Sequence, residues 1–208
     1  TDLGRGGRDD AHVRTAPAAT VIGEAAAPHA ERGKRLVIRI GGRPAEEVRE
    51  QPILHRRPEL IHGLRNLVQN AVDFAASTVW VDVEPDERAL RIIVGDDGPG
   101  FGTDMLPRLG EPYVSTRARG SNAVVGAYEG MGLGLFIART LLERTGARLA
   151  FANGSETPGR ARTDGAPPER ARPSGAVIEI AWPRGAIEAS RAEARGPLGR
   201  NDRFAEDA

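Results

Sequence analysis

The chain has 208 residues with 29 basic and 29 acidic side chains, and this balance gives no electrostatic case for nucleic acid or an anionic membrane as partner. It has no cysteine, which excludes disulfides, thiolate metal sites and cysteine nucleophiles. No apolar run approaches the roughly 18 residues that span a bilayer, and the polar, Gly/Arg-rich start lacks the form of a signal peptide; the chain reads as soluble and intracellular, and Thr1 in place of Met reads as part of something longer.

Residues 1–19 are rich in Gly, Arg and Asp without an apolar period, and are expected to be a linker or the end of a missing element. A short helix is expected over 20–31, with Thr20 as a possible N-cap and Val21, Ile22 and Ala25 on one side. Residues 36–40 alternate apolar and charged side chains up to Gly41-Gly42, the pattern of a strand. The strongest helix signal covers 59–76, where Leu60, Leu64, Leu67, Ala71 and Phe74 recur at helical spacing behind Pro58, which loses nothing at a helix start. Residues 78–84 and 89–94 flank a turn at 85–88 and predict a hairpin whose second strand delivers the chain to Asp96. A short helix is expected within 102–109, a long loop over 110–129, and a helix over 132–146 with Gly146 as C-cap. Residues 148–152 and 176–182 read as strands, separated by a Gly/Pro/Arg-rich segment, 154–174, expected to be a disordered insertion. Residues 184–208 read as a mobile tail. This order predicts one α/β domain over 20–183, a two-layer sandwich with helices on one face of a mixed sheet.

Three motifs carry chemistry. His62, Asn66 and Asn70 stand at four-residue steps, on one face of the predicted helix. Asn is a poor helix former, and an amide oxygen is a neutral hard ligand able to hold Mg²⁺ while water and nucleotide phosphates complete the octahedron. Taken alone, the stripe is also what a solvated helix face looks like. The second motif is Asp96-Asp97-Gly98-Pro99-Gly100. A carboxylate at a strand end can accept a hydrogen bond from an exocyclic amine such as adenine N6, and the two glycines let backbone approach a planar base; alone, it is equally an Asp-Gly turn. The third, Gly130-Met131-Gly132-Leu133-Gly134, precedes a helix, so that backbone N–H groups and the helix N-terminus favour phosphate. No strand leads into it, which excludes a dinucleotide-binding turn, and no Gly-Lys-Ser/Thr follows, which excludes a Walker loop. In this order the three together describe an ATP site.

The segments "HGLRNLVQNA", "DDGPGF" and "EGMGLGLFIARTLLERTG" resemble the N, G1 and G2 boxes of histidine-kinase catalytic domains, within the wider superfamily of gyrase, Hsp90, histidine kinase and MutL ATPases. The resemblance covers about 20–183. More narrowly, "LIHGLRNLVQNAVDFA" and "EGMGLGLFIARTLLERTGA" are similar to the RegB/PrrB group of redox-sensing kinases. The resemblance implies a Bergerat-type sandwich with a mostly antiparallel sheet. It implies ATP and Mg²⁺ as cofactors, Asn70 as metal ligand and Asn66 as its helper at the phosphates. Asp96 would read adenine, Gly98 and Gly100 would line the base pocket, and Phe74 would close it. Gly130, Gly132 and Gly134 would cradle phosphates and hinge an ATP lid over about 108–129; Met131 and Leu133, and Thr116 and Arg117 of the lid, would also bind the nucleotide.

The resemblance further implies phosphoryl transfer to a histidine on a separate dimerisation domain, a cognate response regulator downstream, and a parent protein anchored in the inner membrane by a region outside this chain. Three departures qualify it. Where many relatives carry Lys three residues after the metal-binding Asn, this chain has Asp73, so phosphate-neutralising charge is expected from Arg117 or Arg119. Where hydrolysing relatives carry Glu, it has Asn66, whose amide cannot take a proton, which favours transfer over hydrolysis. None of His12, His29, His55 or His62 stands in the family's His-Glu-x-x-x-Pro phosphoacceptor setting. The competing readings are a conformational ATPase of the gyrase or Hsp90 kind and a non-catalytic interaction module on the same fold.

Overall fold

The computed structural model describes residues 14–111, 131–154, 167 and 170–190, with residues 131 and 132 described by backbone alone. The chain opens with strand β1 (Thr15–Pro17) and helix α1 (Ala18–Ala26), followed by strands β2 (Arg35–Ile40), β3 (Arg43–Pro44) and β4 (Ile53–His55). Helix α2 (Pro58–Phe74) leads to β5 (Thr78–Pro85) and β6 (Ala89–Asp96); helix α3 (Met131–Glu143), β7 (Arg148–Asn153), β8 (Ala176–Pro183) and the short helix α4 (Arg184–Ile187) complete the order. Six strands form one sheet in the order β3-β2-β5-β6-β8-β7. Only β2 and β5 run parallel; the other neighbours are antiparallel.

The period-2 pattern of the strands sorts their side chains between the two faces. Val79, Val81 and Val83 of β5, Leu90, Ile92 and Val94 of β6, and Ile178, Ile180 and Trp182 of β8 all enter the main core. The apolar stripes of α1, α2 and α3 cover that face, through Val21 and Ile22, through Leu60, Leu64, Leu67 and Val68, and through Leu135, Ala138 and Leu142. The result is the expected two-layer sandwich, with the helices on one face. Helices α2 and α3 approach closely at Gly63, where a Cβ would lie 2.5 Å from Leu142 Cγ. Gly146 ends α3 at φ +90°, the left-handed conformation expected of a C-cap.

Differences from the sequence reading lie mostly at the ends. The first helix starts at Ala18, and Thr20 lies inside it. Its Ala19 N–H is capped from 32 residues away by Gln51 Oε1 at 3.1 Å. The ordered unit begins before residue 20, because Ala16 pairs with Leu54 in the β1–β4 ladder and both are buried. The segment expected to be a tail from 184 onward folds back as far as described: Ile187 is fully buried, and Ala189 N–H donates to Ile53 O at 2.7 Å. The short helix expected within 102–109 is one 3-10 turn at Leu106–Arg108. Residues 170–174, expected within a disordered insertion, run to β8 against the second face of the sheet. Residues 1–13 and 191–208 lie outside the described residues, as do 112–130, which make up most of the expected lid, and 155–166 and 168–169 of the insertion.

Candidate nucleotide site

The C-terminal half of α2, the end of β6, the turn after it, α3 and the start of β8 surround one pocket. It is lined by Asn70, Ala71, Phe74, Val94, Asp96, Gly100, Phe101, Leu135, Ala176 and Ile178. The walls are apolar, with polar groups from Asn70 and Asp96. Phe101 is fixed by Asn153, whose Oδ1 accepts from Phe101 N–H at 2.7 Å and whose Nδ2 donates to Phe101 O at 3.0 Å. Its ring also meets Phe151 edge-on, with centroids 6.3 Å apart.

Asp96 is 2% exposed. Its Oδ1 accepts from Gly98 N–H at 2.8 Å and from Ala176 N–H at 3.2 Å. Its backbone carbonyl accepts from Ser174 and Gly175 N–H at 3.1 and 2.8 Å. No described residue donates to Oδ2, so one oxygen of a fixed carboxylate remains for a ligand. Burial pushes the Asp96 carboxyl up to about 6; the Gly98 and Ala176 amides oppose that rise and the Asp97 charge adds to it.

The adjacent aspartate does different work. Asp97 accepts from the Ser77 and Thr78 amides and from Ser77 Oγ, at 2.5–3.1 Å, and so ties the start of β5 to the end of β6. Partial burial acts to raise its pKa, but the Ser77 hydroxyl and the Ser77 and Thr78 amides outweigh it and hold the carboxyl below its ordinary value.

Asn70 presents a buried Nδ2 with no partner among the described residues. A Cβ on Gly134 would lie 3.4 Å from both amide ends of Asn70, so this glycine brings the N-terminal turn of α3 onto the Asn70 side chain. A buried amide left unsatisfied costs free energy, and a half-turn about its last torsion presents oxygen instead of nitrogen. Asn66 lies one turn earlier on the same helix face, outside the pocket wall, and its Nδ2 donates to His62 O at 2.9 Å.

The pocket thus brings together Asn70, Phe74, Asp96 and Gly100 of the sequence-derived set. Gly98 is not part of the wall. It is wedged against the end of α2, where a Cβ would lie 2.2 Å from Phe74 O, and its contribution is the N–H given to Asp96. Leu133 is 59% exposed and outside the pocket wall, while Leu135 supplies the apolar contact from α3. Thr116, Arg117, Arg119 and Gly130 lie outside the described residues, and the side-chain positions of 131 and 132 are not described. Asp73, at the position of the family's lysine, accepts a hydrogen bond from Arg32 Nη1, a partner drawn from the turn before β2. Sequence reading missed the β8 side of the site: Ser174, Gly175 and Ala176. Their only local signal is Gly175 just before an apolar strand.

Residues 55–185, more than half of the chain, match the family described as Histidine kinase-, DNA gyrase B-, and HSP90-like ATPase, and the chain belongs to that family. Over 158 residues, 74% of its length, it is 52% identical to the Sensor histidine kinase RegB of Cereibacter sphaeroides, and the match covers 33% of that protein. The chain therefore spans about a third of the length of this curated relative. Among solved structures, the mycobacterial sensor histidine kinase MprB is similar with a TM-score of 0.56 at 17% identity, over 85% of this chain and 99% of that one. Full-length ShkA in complex with AMPPNP is similar with a TM-score of 0.56 at 19% identity, over 86% of this chain and 32% of that one. At these identities the likeness is one of fold.

Proposed function

We propose that this chain is the ATP-binding catalytic domain of a two-component sensor histidine kinase, presenting the γ-phosphate of Mg·ATP to a histidine on a separate dimerisation domain. One observation carries the reading: Asp96 sits in an apolar pocket with Oδ1 tied to backbone amides and Oδ2 without a described donor. An anionic acceptor fixed beside apolar walls suits a flat aromatic base with an exocyclic amine. Phe74, Val94 and Ile178 would exclude water around the base, and Asp96 would accept from adenine N6.

Asn70 fits a metal-bound nucleotide, since its Nδ2 is buried without a partner among the described residues and a half-turn of the amide would present its oxygen there instead. Among the described residues no group of three or more His, Asp or Glu side chains can hold a metal ion, which suits a cation held largely by phosphates and water. Mg²⁺, when bound, would neutralise phosphate charge. Asn66 is a neutral amide already bonded to the helix, and it supplies no base to activate water. That favours transfer to a positioned acceptor, where alignment and charge neutralisation carry the reaction. The resemblance to RegB extends the proposal to redox-responsive regulation through a cognate response regulator, with the parent protein anchored in the membrane; among the described residues no helix is long and apolar enough to cross a membrane.

The test is calorimetric titration of Mg·ATP into the wild type, Asn70→Asp and Asp96→Ala, followed by radiolabel transfer in the presence of the dimerisation domain. The reading requires nucleotide binding that Asp96→Ala weakens roughly ten- to a hundredfold, and transfer that appears only when the acceptor domain is present. Unchanged affinity in Asp96→Ala would place the base elsewhere.

A further inference from the structure

Among the described residues the sheet face opposite the helices carries no helix, yet Val37, Trp80, Ile93 and Val177 on it are buried, together with Arg39 and Asp82. Arg39 and Asp82 are register partners on the parallel strands β2 and β5. Their side chains form a two-pronged pair, Nε to Oδ1 at 2.5 Å and Nη2 to Oδ2 at 2.7 Å. The remaining guanidinium nitrogen, Nη1, donates to Ala171 O at 2.7 Å. Pro173 then lies over β6, where a Cβ on Gly95 would be 2.6 Å from its ring. Directly beyond Pro173 the same stretch reaches the site: Ser174 and Gly175 bond the Asp96 carbonyl, and Ala176 bonds Asp96 Oδ1. The approach leaves no slack, because a Cβ on Gly175 would lie 2.2 Å from Asp96 Oδ1 and 2.6 Å from Gly98 O.

A buried ion pair is a poor device for stability alone, since apolar side chains of similar volume often fill such a place as well or better. Here the arginine has a third bond, and that bond goes to the segment that holds the carboxylate. We infer that Arg39 and Asp82 are positioning residues for base recognition: from the far face of the sheet they anchor the 171–176 strap, whose Ser174 and Gly175 amides hold the Asp96 backbone and whose Ala176 amide holds its side chain in the orientation that selects adenine. The inference rests on the reading of Asp96 as the adenine acceptor. A strap that merely covered Trp80 and Ile93 would contribute stability without affecting selectivity.

Calorimetric affinities for Mg·ATP and Mg·GTP separate these cases. They are measured on the full 208-residue chain for wild type, Arg39→Met/Asp82→Leu, Pro173→Gly and Asp96→Ala, each with its melting curve. Replacing both partners leaves no unpaired buried charge, so the double variant should fold. Its preference for ATP over GTP should fall at least about tenfold. Pro173→Gly keeps the ion pair but loosens the strap, and should move the preference the same way. An unchanged preference in a folded double variant overturns the inference, and if that variant fails to melt cooperatively, Pro173→Gly alone decides. A different pattern marks failure of the underlying site reading: wild type without preference for ATP, or Asp96→Ala retaining it. In that case the strap inference falls with it.

Discussion

Asp96 and Asp97 are chemically identical and adjacent, and the fold gives them opposite surroundings. Asp97 is surrounded by donors and ionises readily; Asp96 is buried and its carboxyl is pushed up to about 6. Between its ordinary 3.8 and about 6, the folded state holds the proton that the unfolded state has lost. Stability therefore falls as pH rises through that window, and above about 6 the ionised Asp96 costs the empty domain on the order of 3 kcal/mol. Asp96→Asn keeps an acceptor for the Gly98 and Ala176 amides and removes the charge. It should melt higher than wild type at pH 7.5, with the gap roughly halved at pH 5 and closing only below about 3.8. Equal melting temperatures at both values would show that burial does not strain this carboxylate. Binding should have the opposite dependence. Only the ionised form accepts from N6 while offering no competing donor, so affinity should drop as pH falls through about 6, with Asp97 already ionised across that range. Adenosine is the probe, so that no phosphate titrates. Asp96→Ala should weaken nucleotide binding by roughly ten- to a hundredfold, the size expected for one charge-assisted hydrogen bond. At this scale the sequence marked Asp96, Asn70, Phe74 and Gly100 as residues of one site, because each belongs to a short motif. It placed Gly98 in the pocket wall, where the fold instead wedges it against the end of α2, because motif spacing does not say which way a residue faces.

The helices and strands were legible where an apolar period runs long enough to define a face. Helix α2 is the clearest case: Leu60, Leu64 and Leu67 mark its buried stripe in the sequence and are fully buried in the fold. Leu67→Ala should cost about 2–5 kcal/mol in chemical denaturation, through lost burial and the cavity left behind. The junction of α3 with β8 was not legible. Thr145 Oγ1 donates to Leu142 O at 2.6 Å and accepts from Trp182 Nε1 at 2.8 Å, joining a helix end to a strand 37 residues later. Thr145→Ala should destabilise by about 1–3 kcal/mol because it leaves a buried indole N–H unpaired. Thr145→Ser should recover most of the loss, and comparable melting of the Ala variant and wild type would show that the bond contributes nothing. Short strands such as β3 and β4 escaped the sequence reading for a related reason. Two or three residues cannot express a period, and the β1–β4 ladder exists only because Ala16 meets Leu54.

For the whole molecule, the consequence of the proposed function is an incomplete catalyst. The chain alone should bind Mg·ATP and show negligible histidine phosphorylation, with transfer restored by adding the dimerisation domain. Efficient labelling of this chain by itself would contradict the proposal. Gly175→Ala should also reduce nucleotide affinity while leaving far-UV circular dichroism near wild type, since its Cβ meets Asp96 and the Gly98 backbone before it meets the core.

The sequence by itself determined the sandwich, the main helices and strands, and the three motifs of the candidate nucleotide site. Those follow from periods and backbone preferences that act within a few residues. Only the tertiary structure decided which oxygen of which aspartate is left without a described donor. It also decided that Asp73 is answered by Arg32, that residues 184–190 belong to the packed unit, and that a strap held by Arg39 and Asp82 reaches Asp96. Those bonds join residues tens of positions apart, up to 132 between Arg39 and Ala171. No local pattern encodes such a pairing, because it exists only once the sheet has brought its strands side by side.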